Sequence, residues 1–362
     1  MKISKIELIE EHLPLKTPFV TAKRSIDIII SYVLKITTDD GCVGYGACSP
    51  TPVITGDTIG SLKFALLEYY PPLLIGKEVT PELLEFVQNA LVHNTSPKAA
   101  LDIALHDLLA QKEKKSLFTY LGGAVGDQKL ITDITISLGN IDKMVADTII
   151  ALSDGFSKLK VKLGTTADED IARIKALAEV IPDDIAVRLD ANQAWSPEDA
   201  VKICDVAAKS GMNIELIEQP VKYSDFKGMK YVTANTDLMI LADESVFCVE
   251  DAERILEEKA ADMINIKLMK CGGLYNAKKI FDIAKSANVE CMLGCMMEGT
   301  VSVAAASHFA AAVGITKLDL DPPTLCKSIP TECSVTFESE NIFIKDGAND
   351  DKYGLAVSKI SQ

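Results

Sequence analysis

Between residues 130 and 321 the chain repeats one pattern eight times: a short apolar run followed by a stretch with helical spacing. Short apolar strands that alternate with helices are typical of parallel βα units. Eight consecutive units of this kind close most naturally into a (β/α)8 barrel, whose last one or two helices can be irregular. We predict the eight strands at residues 130–137, 158–163, 185–192, 214–220, 238–245, 263–270, 289–296 and 315–321.

The residues on either side of this repeat are organised differently. Alternating apolar runs joined by short turns predict a β-meander up to Pro50, and helical patterns follow at 59–74, 81–93 and 96–112. Residues 334–347 return to a strand-like pattern that has no place in a barrel. We therefore predict an α/β protein with an α+β capping domain at 1–125, a modified (β/α)8 barrel carrying the catalytic residues at 126–325, and a C-terminal segment at 326–362 that packs back on the capping domain and completes it.

Charged residues recur at the predicted C-terminal ends of the barrel strands. Active sites of (β/α)8 barrels lie at this end. Isolated buried charges are costly, so we expect these side chains to converge and either to neutralise one another or to bind a metal ion. In chain order they are Lys160, Lys162, Asp190, Glu218, Asp243, Lys267, Asp319 and Asp321.

This series of charges indicates a particular chemistry. Asp190, Glu218 and Asp243 follow three successive strands and offer the hard oxygen ligands that suit Mg²⁺. A divalent cation can stabilise the enolate that forms when a proton α to a carboxylate is removed. Lys162 and Lys267 are predicted on opposite sides of the barrel mouth, where one can remove the proton and the other return it. Such a site with two bases inverts a stereocentre.

Several segments resemble the enolase superfamily and, within it, the muconate-lactonising subgroup. KVKLG, RLDANQAW, IELIEQP, LADESVF and INIKLMKCGG stand in family order, and SPKAALDIALHDLLAQKEKKSLFTYLGG at 96–123 resembles the helical signature of the subgroup. The resemblance implies that Asp190, Glu218 and Asp243 bind Mg²⁺ and that Lys162 and Lys267 are the paired acid/bases. It also implies that Lys160 contacts the substrate carboxylate.

The subgroup contains several activities, and the eighth strand helps to choose among them. Asp319-Leu320-Asp321 resembles the D-x-D motif with which dipeptide epimerases hold the α-ammonium group of their substrate. This resemblance implies a small dipeptide as substrate and, most specifically, interconversion of L-Ala-L-Glu and L-Ala-D-Glu. The alternatives within the subgroup are N-acylamino-acid racemisation, succinylbenzoate synthesis, muconate cycloisomerisation and epimerisation of a dipeptide without glutamate.

The same resemblance implies further pocket residues. The loops at 17–25 and 49–57 would cover the barrel mouth, with Arg24 placed to pair with a glutamate side chain. Thr135, Cys295 and Met297 match positions that line the dipeptide pocket, whereas the neighbouring Glu298 has no predicted role. An inactive barrel that only binds a small acid is an alternative of another class, and the complete set of ion and base residues argues against it.

Composition narrows the partners and the compartment. A net charge of −15 and a pI near 4.8 oppose binding to nucleic acid or to an anionic membrane surface. No apolar run resembles a signal peptide or a membrane span, and nine scattered cysteines without a C-x-x-C pair favour reduced thiols. We predict a cytoplasmic enzyme that is a candidate for homo-oligomerisation, as many soluble enzymes are.

Overall fold

The computed structural model describes residues 1–347 and 350–360, and its N-terminal part is a three-stranded antiparallel sheet covered by helices. The strands are β1 (Ile3–Val20), β2 (Ser25–Thr38) and β3 (Val43–Cys48), paired in that order. The predicted meander is therefore confirmed. The helices that follow are α1 (Ile59–Phe64), a π-helix (Ala65–Tyr69), α2 (Pro71–Leu74), α3 (Glu82–Ala90), α4 (Thr95–Lys112) and α5 (Leu117–Tyr120).

The central helix α4 packs directly on β3, and a glycine makes this contact possible. A Cβ atom added to Gly46 would lie 1.9 Å from the carbonyl oxygen of Ala100, so no other residue fits there. Nearly all of α4 is buried, which explains why its sequence lacks an amphipathic pattern. Gly46 thus allows β3 and α4 to pack closely against each other.

A second sheet of eight parallel strands forms the barrel. Neighbouring strands of this sheet are also consecutive along the chain. The edge strands approach each other through hydrogen bonds from the Asp133 N–H to the Leu318 carbonyl oxygen, 3.4 Å, and from the Leu320 N–H to Thr132 Oγ1, 2.8 Å. The strands are β5 (Ile134–Ile136), β6 (Lys158–Lys162), β7 (Ala186–Asp190), β8 (Asn213–Glu218), β9 (Ile240–Ala242), β10 (Met263–Lys267), β11 (Glu290–Gly294) and β12 (Lys317–Asp319).

Helices lie between these strands and follow the last one. They are α6 (Ile141–Ser153), α7 (Ala167–Ala178), α8 (Pro197–Ala208), α9 (Phe226–Ala234), α10 (Val249–Glu258), the short α11 (Leu268–Cys271), α12 (Leu274–Ser286), α13 (Thr300–Val313) and α14 (Pro322–Leu325). The predicted barrel with an antiparallel N-terminal sheet is confirmed. Among the described residues, no helix has the length and apolar character needed to cross a membrane.

Two of the predicted strands are corrected by the structure. Residues 130–137 do not form one strand, because β4 (Gln128–Ile131) ends before Thr132 and a separate strand, β5, enters the barrel. β4 instead pairs with β14 (Asn341–Ile344), which forms a hairpin with β13 (Val335–Glu338). Residues 263–270 are also not one strand, because β10 ends at Lys267 and α11 begins at the next residue.

The C-terminal part contacts both the barrel and the N-terminal elements. Its hairpin pairs with β4, and the Leu355 N–H donates to Asp107 Oδ1 of α4 over 2.8 Å. The backbone of Cys326 forms an isolated antiparallel β-bridge with that of Leu15 in β1. Residues 348, 349, 361 and 362 of the predicted segment 326–362 lie outside the described residues. The domain boundaries at 125 and 325 stay predictions.

Candidate active site

Five of the charged residues predicted at strand ends are the last residues of their strands and lie at one end of the barrel. Lys162, Asp190 and Glu218 are the last residues of β6, β7 and β8, and strand register places Lys162 beside Asp190 and Asp190 beside Glu218. On the other side of the barrel, Lys267 and Asp319 end β10 and β12. Gly294 of β11 stands between these two in the register. Parallel pairing therefore brings side chains that are distant in sequence to a common rim.

Lysine ammonium groups alternate with the three carboxylates predicted to bind an ion. Lys162 Nζ lies 2.6 Å from Asp190 Oδ2, and Lys267 Nζ lies 2.8 Å from Asp243 Oδ2. Lys160 is fully buried, with Nζ 2.7 Å from Glu218 Oε2 and 3.3 Å from Asp190 Oδ2. These contacts supply the mutual neutralisation that a cluster of buried charges requires.

Asp243 has a second partner that the sequence prediction missed. Lys270, in α11, is almost completely buried, and its Nζ lies 2.6 Å from Asp243 Oδ1. The same ammonium donates to the Asp243 carbonyl oxygen and, over 2.9 Å, to the carbonyl oxygen of Asn265. Lys270 follows Lys267 by three residues, which brings the two side chains to the same side only in a helix. Lys270 could therefore have been found from the sequence only if the start of α11 after Lys267 had been predicted.

The neighbouring charges and burial shift the pKa values of the three carboxylates in different directions. Burial disfavours the charge of Asp190, but Lys162 and Lys160 outweigh burial and lower its pKa. Lys267 and Lys270 likewise overcome burial and hold the pKa of Asp243 well below its usual range. For Glu218, burial and the charge of Asp190 prevail and raise the pKa to about 7.

The pKa of Lys267, on the opposite side of the barrel, is also shifted by its neighbours. Burial disfavours the ammonium form of Lys267, but the carboxylate of Asp243 outweighs burial and raises the pKa of Lys267 above its ordinary value. The amine is therefore held in its protonated form while Asp243 is its partner.

A second group of carboxylates lies where the edge strands meet. Asp319, Asp321 and Asp133 each offer an oxygen atom, and these atoms lie within 4.8 Å of one another. Burial and the charge of Asp319 raise the pKa of Asp321 to about 6. Asp321 Oδ2 accepts a hydrogen bond of 2.7 Å from the backbone N–H of Thr135. The predicted D-x-D pair is thus assembled next to a third acid, Asp133, which sequence reasoning missed.

Asp133 is held from below by a buried arginine. Arg188 of β7 is fully buried, and its Nη1 lies 2.8 Å from Asp133 Oδ2 while its Nε lies 2.5 Å from Glu215 Oε2. Asp133 Oδ1 has no hydrogen bond with any described residue. A cation held by Asp319 and Asp321 would therefore also lie close to this third carboxylate.

These groups surround a cavity of about 50 Å³ beneath the two predicted loops. Lys160, Asp190 and Glu218 are fully buried and do not line it, but Asp190 lies 2.6 Å from Lys162 and Glu218 lies 3.9 Å from Lys267, and both of these lysines do. Phe19, Thr21, Val53 and Ile54 close the cavity from the N-terminal side. The predicted residues that line it are Arg24, Thr135, Lys162, Asp243, Lys267, Cys295, Met297, Asp319 and Asp321.

Arg24 reaches this cavity from the loop between β1 and β2. Among the described residues, no carboxylate lies within 4.0 Å of its guanidinium, and burial lowers its pKa from the ordinary value. Glu298 lies outside the lining of the cavity, where its carboxylate accepts a hydrogen bond of 2.7 Å from the Met296 N–H. Arg24 is therefore suited to a ligand carboxylate, whereas Glu298 makes a local structural contact.

The donor set at the barrel rim fits a hard cation. Asp190, Glu218 and Asp243 provide carboxylate oxygens only, and Glu218 Oε2 and Asp243 Oδ1 are buried without a hydrogen bond, each meeting only a lysine ammonium. Asn192 adds a buried Oδ1 that has no partner among the described residues. Oxygen atoms of this kind are the ligands of Mg²⁺ in proteins.

The chain matches two family models that together span most of its length. Residues 3–122 match the N-terminal domain of the mandelate racemase / muconate lactonizing enzyme family, and residues 143–354 match the enolase C-terminal domain-like model. Among characterised proteins, an L-Ala-D/L-Glu epimerase of Clostridium acetobutylicum is 43% identical over 337 residues, which cover 92% of this chain and 94% of the relative.

Solved structures give the same result. The substrate-liganded complex of the L-Ala-D/L-Glu epimerase from Bacillus subtilis superposes with a TM-score of 0.95 at 39% identity and covers 100% of both chains. A dipeptide epimerase from Enterococcus faecalis, complexed with Mg and L-Leu-L-Tyr, has a TM-score of 0.92 at 38% identity and covers 99% of this chain and 100% of its own. The chain therefore belongs to the mandelate racemase / muconate lactonizing enzyme family of the enolase superfamily, as its motifs predicted.

Proposed function

We propose that this protein is a Mg²⁺-dependent dipeptide epimerase that most specifically interconverts L-Ala-L-Glu and L-Ala-D-Glu. The observation that carries the proposal is a pair of lysines, Lys162 and Lys267, that line one cavity from the second and sixth of eight parallel strands. Strands four places apart in an eight-stranded barrel stand on opposite sides. The two amines therefore address opposite faces of a ligand bound between them.

Asp190, Glu218 and Asp243 would hold the Mg²⁺ ion. When bound, the ion supplies the positive charge that stabilises the enolate developing on that carboxylate. Lys160, buried between Glu218, Asp190 and Asp319, adds a fixed positive charge beside them. Its direct contact with the substrate carboxylate stays a prediction.

The proton moves between Cα of the second residue and the two lysines. The neutral amine of one lysine takes the proton from Cα on its own face, and the ammonium group of the other lysine gives a proton to the opposite face. The configuration at this carbon is thereby inverted, and the peptide bond is untouched. Because the reaction is reversible, each lysine acts as the base for one stereoisomer and as the acid for the other.

The remaining cavity residues would recognise the two ends of the dipeptide. Asp319 and Asp321 carry negative charge to the position proposed for the α-ammonium group, where a charge-assisted hydrogen bond is strong. Arg24 has no carboxylate partner among the described residues and is suited to a glutamate side chain. Thr135, Cys295 and Met297 would form the walls of the pocket.

The second residue of the substrate is the least constrained part of this proposal. The structural relative from Enterococcus faecalis holds L-Leu-L-Tyr, so a family member with the same fold accepts a side chain without charge. Arg24 favours glutamate in this chain. Screening a dipeptide library for deuterium incorporation at Cα would measure the preference, and a strong preference for apolar second residues would replace glutamate in the proposal.

Other activities of the subgroup are separated by the same residues. N-acylamino-acid racemisation, succinylbenzoate synthesis and muconate cycloisomerisation act on substrates without a free α-ammonium group. Asp319 is paired with Lys160 and Asp133 with Arg188, but Asp321 has no ion pair among the described residues, so its carboxylate would lie against such substrates without a compensating cation, which is unfavourable. The acidic cluster therefore supports a substrate with a free amine.

The proton-transfer roles can be tested with the Mg²⁺-loaded enzyme in deuterated water. Lys267→Ala should stop epimerisation of L-Ala-Glu but leave exchange of the α-proton in one stereoisomer, and Lys162→Ala should leave exchange in the other. Lys158→Ala, on the same strand as Lys162 but half-buried at its opposite end, is a matched control that should retain epimerisation. Epimerisation at an undiminished rate in either active-site variant would refute the assignment of the two bases.

We further propose that the enzyme works in the cytoplasm, and that its dipeptide arises from turnover of cell-wall peptides. All nine cysteines are free thiols, five of them buried, which suits a reducing compartment. Homo-oligomerisation stays an expectation that a sedimentation measurement would test.

A further inference from the structure

A second and much larger cavity lies beside the catalytic one. It has a volume of about 1000 Å³ and lies between the N-terminal helices α3 and α4 and the loops that follow strands β8 and β9. The two cavities share Lys23, Val53, Ile54 and Glu244 in their walls. Neither the proton transfer nor the recognition of the dipeptide proposed above uses this space.

One wall of the second cavity contains a buried lysine without a counter-ion. Lys98, in the first turn of α4, is only 7% exposed, and no carboxylate of the described residues lies within 4.0 Å of its ammonium group. Burial lowers the pKa of Lys98, and the more distant Asp57 opposes this shift. Every other lysine with less than 9% exposure has a carboxylate oxygen within 2.8 Å: Lys160, Lys162, Lys267 and Lys270.

This contrast identifies an unmet requirement for negative charge. A buried ammonium group without a partner is unfavourable, and the surrounding protein has supplied partners to the four comparable lysines. The Lys98 side chain borders open space in the second cavity, so an anion that enters from solvent can reach it. A carboxylate is a suitable partner for the Lys98 ammonium group, because the two form a short charge-assisted hydrogen bond.

The start of helix α4 forms part of the same cavity wall. Asn94, at its N-cap, makes no side-chain capping hydrogen bond, and Thr95 Oγ1 is buried without a partner among the described residues. Both residues line the same cavity as Lys98. Asp57 already supplies a carboxylate to the partial positive charge at this helix N-terminus, since its Oδ2 accepts a hydrogen bond of 3.0 Å from the Ser96 N–H, so attraction for a further anion depends on Lys98.

Of the other basic side chains of the cavity, Lys23 is exposed and has no ion pair with a described residue, whereas Arg254 and Lys279 have partners. Arg254 stacks on the ring of Phe226 at 3.6 Å and pairs with Glu258, and Lys279 lies 4.2 Å from the ring centroid of Tyr275. Tyr223 and Phe247 bring further aromatic surface to the wall. Four acidic residues, Glu85, Glu244, Glu250 and Asp251, also line the cavity, so we expect a carboxylate only at Lys98, and the apolar surface suits a ligand with a carboxylate at one end and an apolar body.

We propose that the second cavity is a binding site for a small carboxylic acid with an apolar or aromatic body, whose carboxylate pairs with Lys98. The body of the ligand lies against the aromatic side chains of the loops after β8 and β9. This site is separate from the reacting centre, and its existence does not depend on which dipeptide the enzyme epimerises.

The proposal can be tested by calorimetric titration of the full-length, Mg²⁺-loaded enzyme with 3-phenylpropionate. The wild-type protein should bind the probe, and Lys98→Met should weaken binding at least tenfold because the charge-assisted hydrogen bond is lost. Lys279→Met, in the same cavity, is the matched control and should bind as the wild type does. Absence of binding to the wild type, or equal binding by Lys98→Met, would overturn the proposal.

A second measurement needs no variant. Acetic anhydride modifies lysines in their neutral form, and peptide mass spectrometry reports the rate at each one. The probe should slow the acetylation of Lys98 and leave that of Lys279 unchanged. An unaltered rate at Lys98 in saturating probe would exclude the site even if Lys98→Met failed to fold.

Discussion

Replacing Asp321 by asparagine tests the recognition of the substrate amine directly. The substitution keeps the shape of the side chain and an oxygen that can accept the 2.7 Å hydrogen bond from the Thr135 N–H. It removes the negative charge that Asp321 shares with Asp319. The pKa of Asp321 is raised to about 6 by burial and by Asp319, so at a pH well above 6 the wild-type residue is ionised and the comparison is one of charge.

The expected size of the effect follows from the contact that is lost. A hydrogen bond to a charged group contributes about 1.5–3 kcal/mol, which corresponds to a factor of roughly 10 to 150 in kcat/KM at 25 °C. Asp319 and Asp133 remain near the amine, so the loss should fall within this range rather than abolish binding of the amine altogether. The fold should persist, because the backbone contact at Thr135 is retained.

The assay compares two substrates, L-Ala-L-Glu and its N-acetyl derivative, by circular dichroism. Asp321→Asn should lower kcat/KM for the free dipeptide by the factor given above and leave the N-acetyl compound nearly unaffected, since that compound has no ammonium group. Glu298→Gln is a matched control, because Glu298 is equally buried and also accepts a backbone N–H, yet lies outside the cavity lining. An equal loss for both substrates, or no loss for the free dipeptide, would refute the proposed clamp.

Three further predictions concern stability and geometry. Arg188→Met leaves the fully buried Asp133 without a counter-ion, while Glu215 keeps Lys317 at 2.8 Å; it should lower the free energy of unfolding by about 3–5 kcal/mol, seen as a Tm decrease of about 4–7 °C, and an unchanged Tm would contradict the structural role of the Arg188–Asp133 pair. Gly294→Ala places a Cβ atom 2.9 Å from Lys267 Cε, so it should reduce kcat while the far-ultraviolet spectrum stays that of the wild type, and a wild-type kcat would count against this geometry. Burial lowers the pKa of His308 to about 3, so the unfolded chain binds one more proton below pH ~6.5 and stability falls by up to about 1.4 kcal/mol per pH unit as pH drops from there toward 3; His308→Gln should flatten this slope in chemical denaturation, and a slope identical to that of the wild type would disprove the assignment.

Much of the barrel could be predicted because its sequence signals are local. Each strand is a short apolar run followed by a helical pattern, and its functional residue stands at the strand end, as for Asp190 and Glu218. The placement of these residues on one rim then follows from parallel pairing alone. The same pattern predicted Lys162 and Lys267, and the family motifs implied the same acid/base roles for them.

The parts that sequence reasoning missed depend on contacts between distant residues. The strand predicted at 130–137 is interrupted because β4 pairs with β14, more than 200 residues away, and no local pattern announces that partner. Asp133 became a member of the acidic cluster only through this interruption, since it turns toward Arg188 at the point where β5 begins. The second cavity was equally hidden, because Lys98 lies in an ordinary helical signature and its lack of a counter-ion is a property of the assembled fold.

The loop carrying Arg24 and the loop carrying Val53 and Ile54 contribute to the catalytic cavity from outside the barrel. The reacting lysines are anchored in a hydrogen-bonded sheet, whereas these covering residues belong to connections between N-terminal elements. Evolution can therefore alter the shape and charge of the cover while the strands keep the distance between the two amines. Substrate preference can therefore change through these two loops without any change in the barrel strands that carry the two amines.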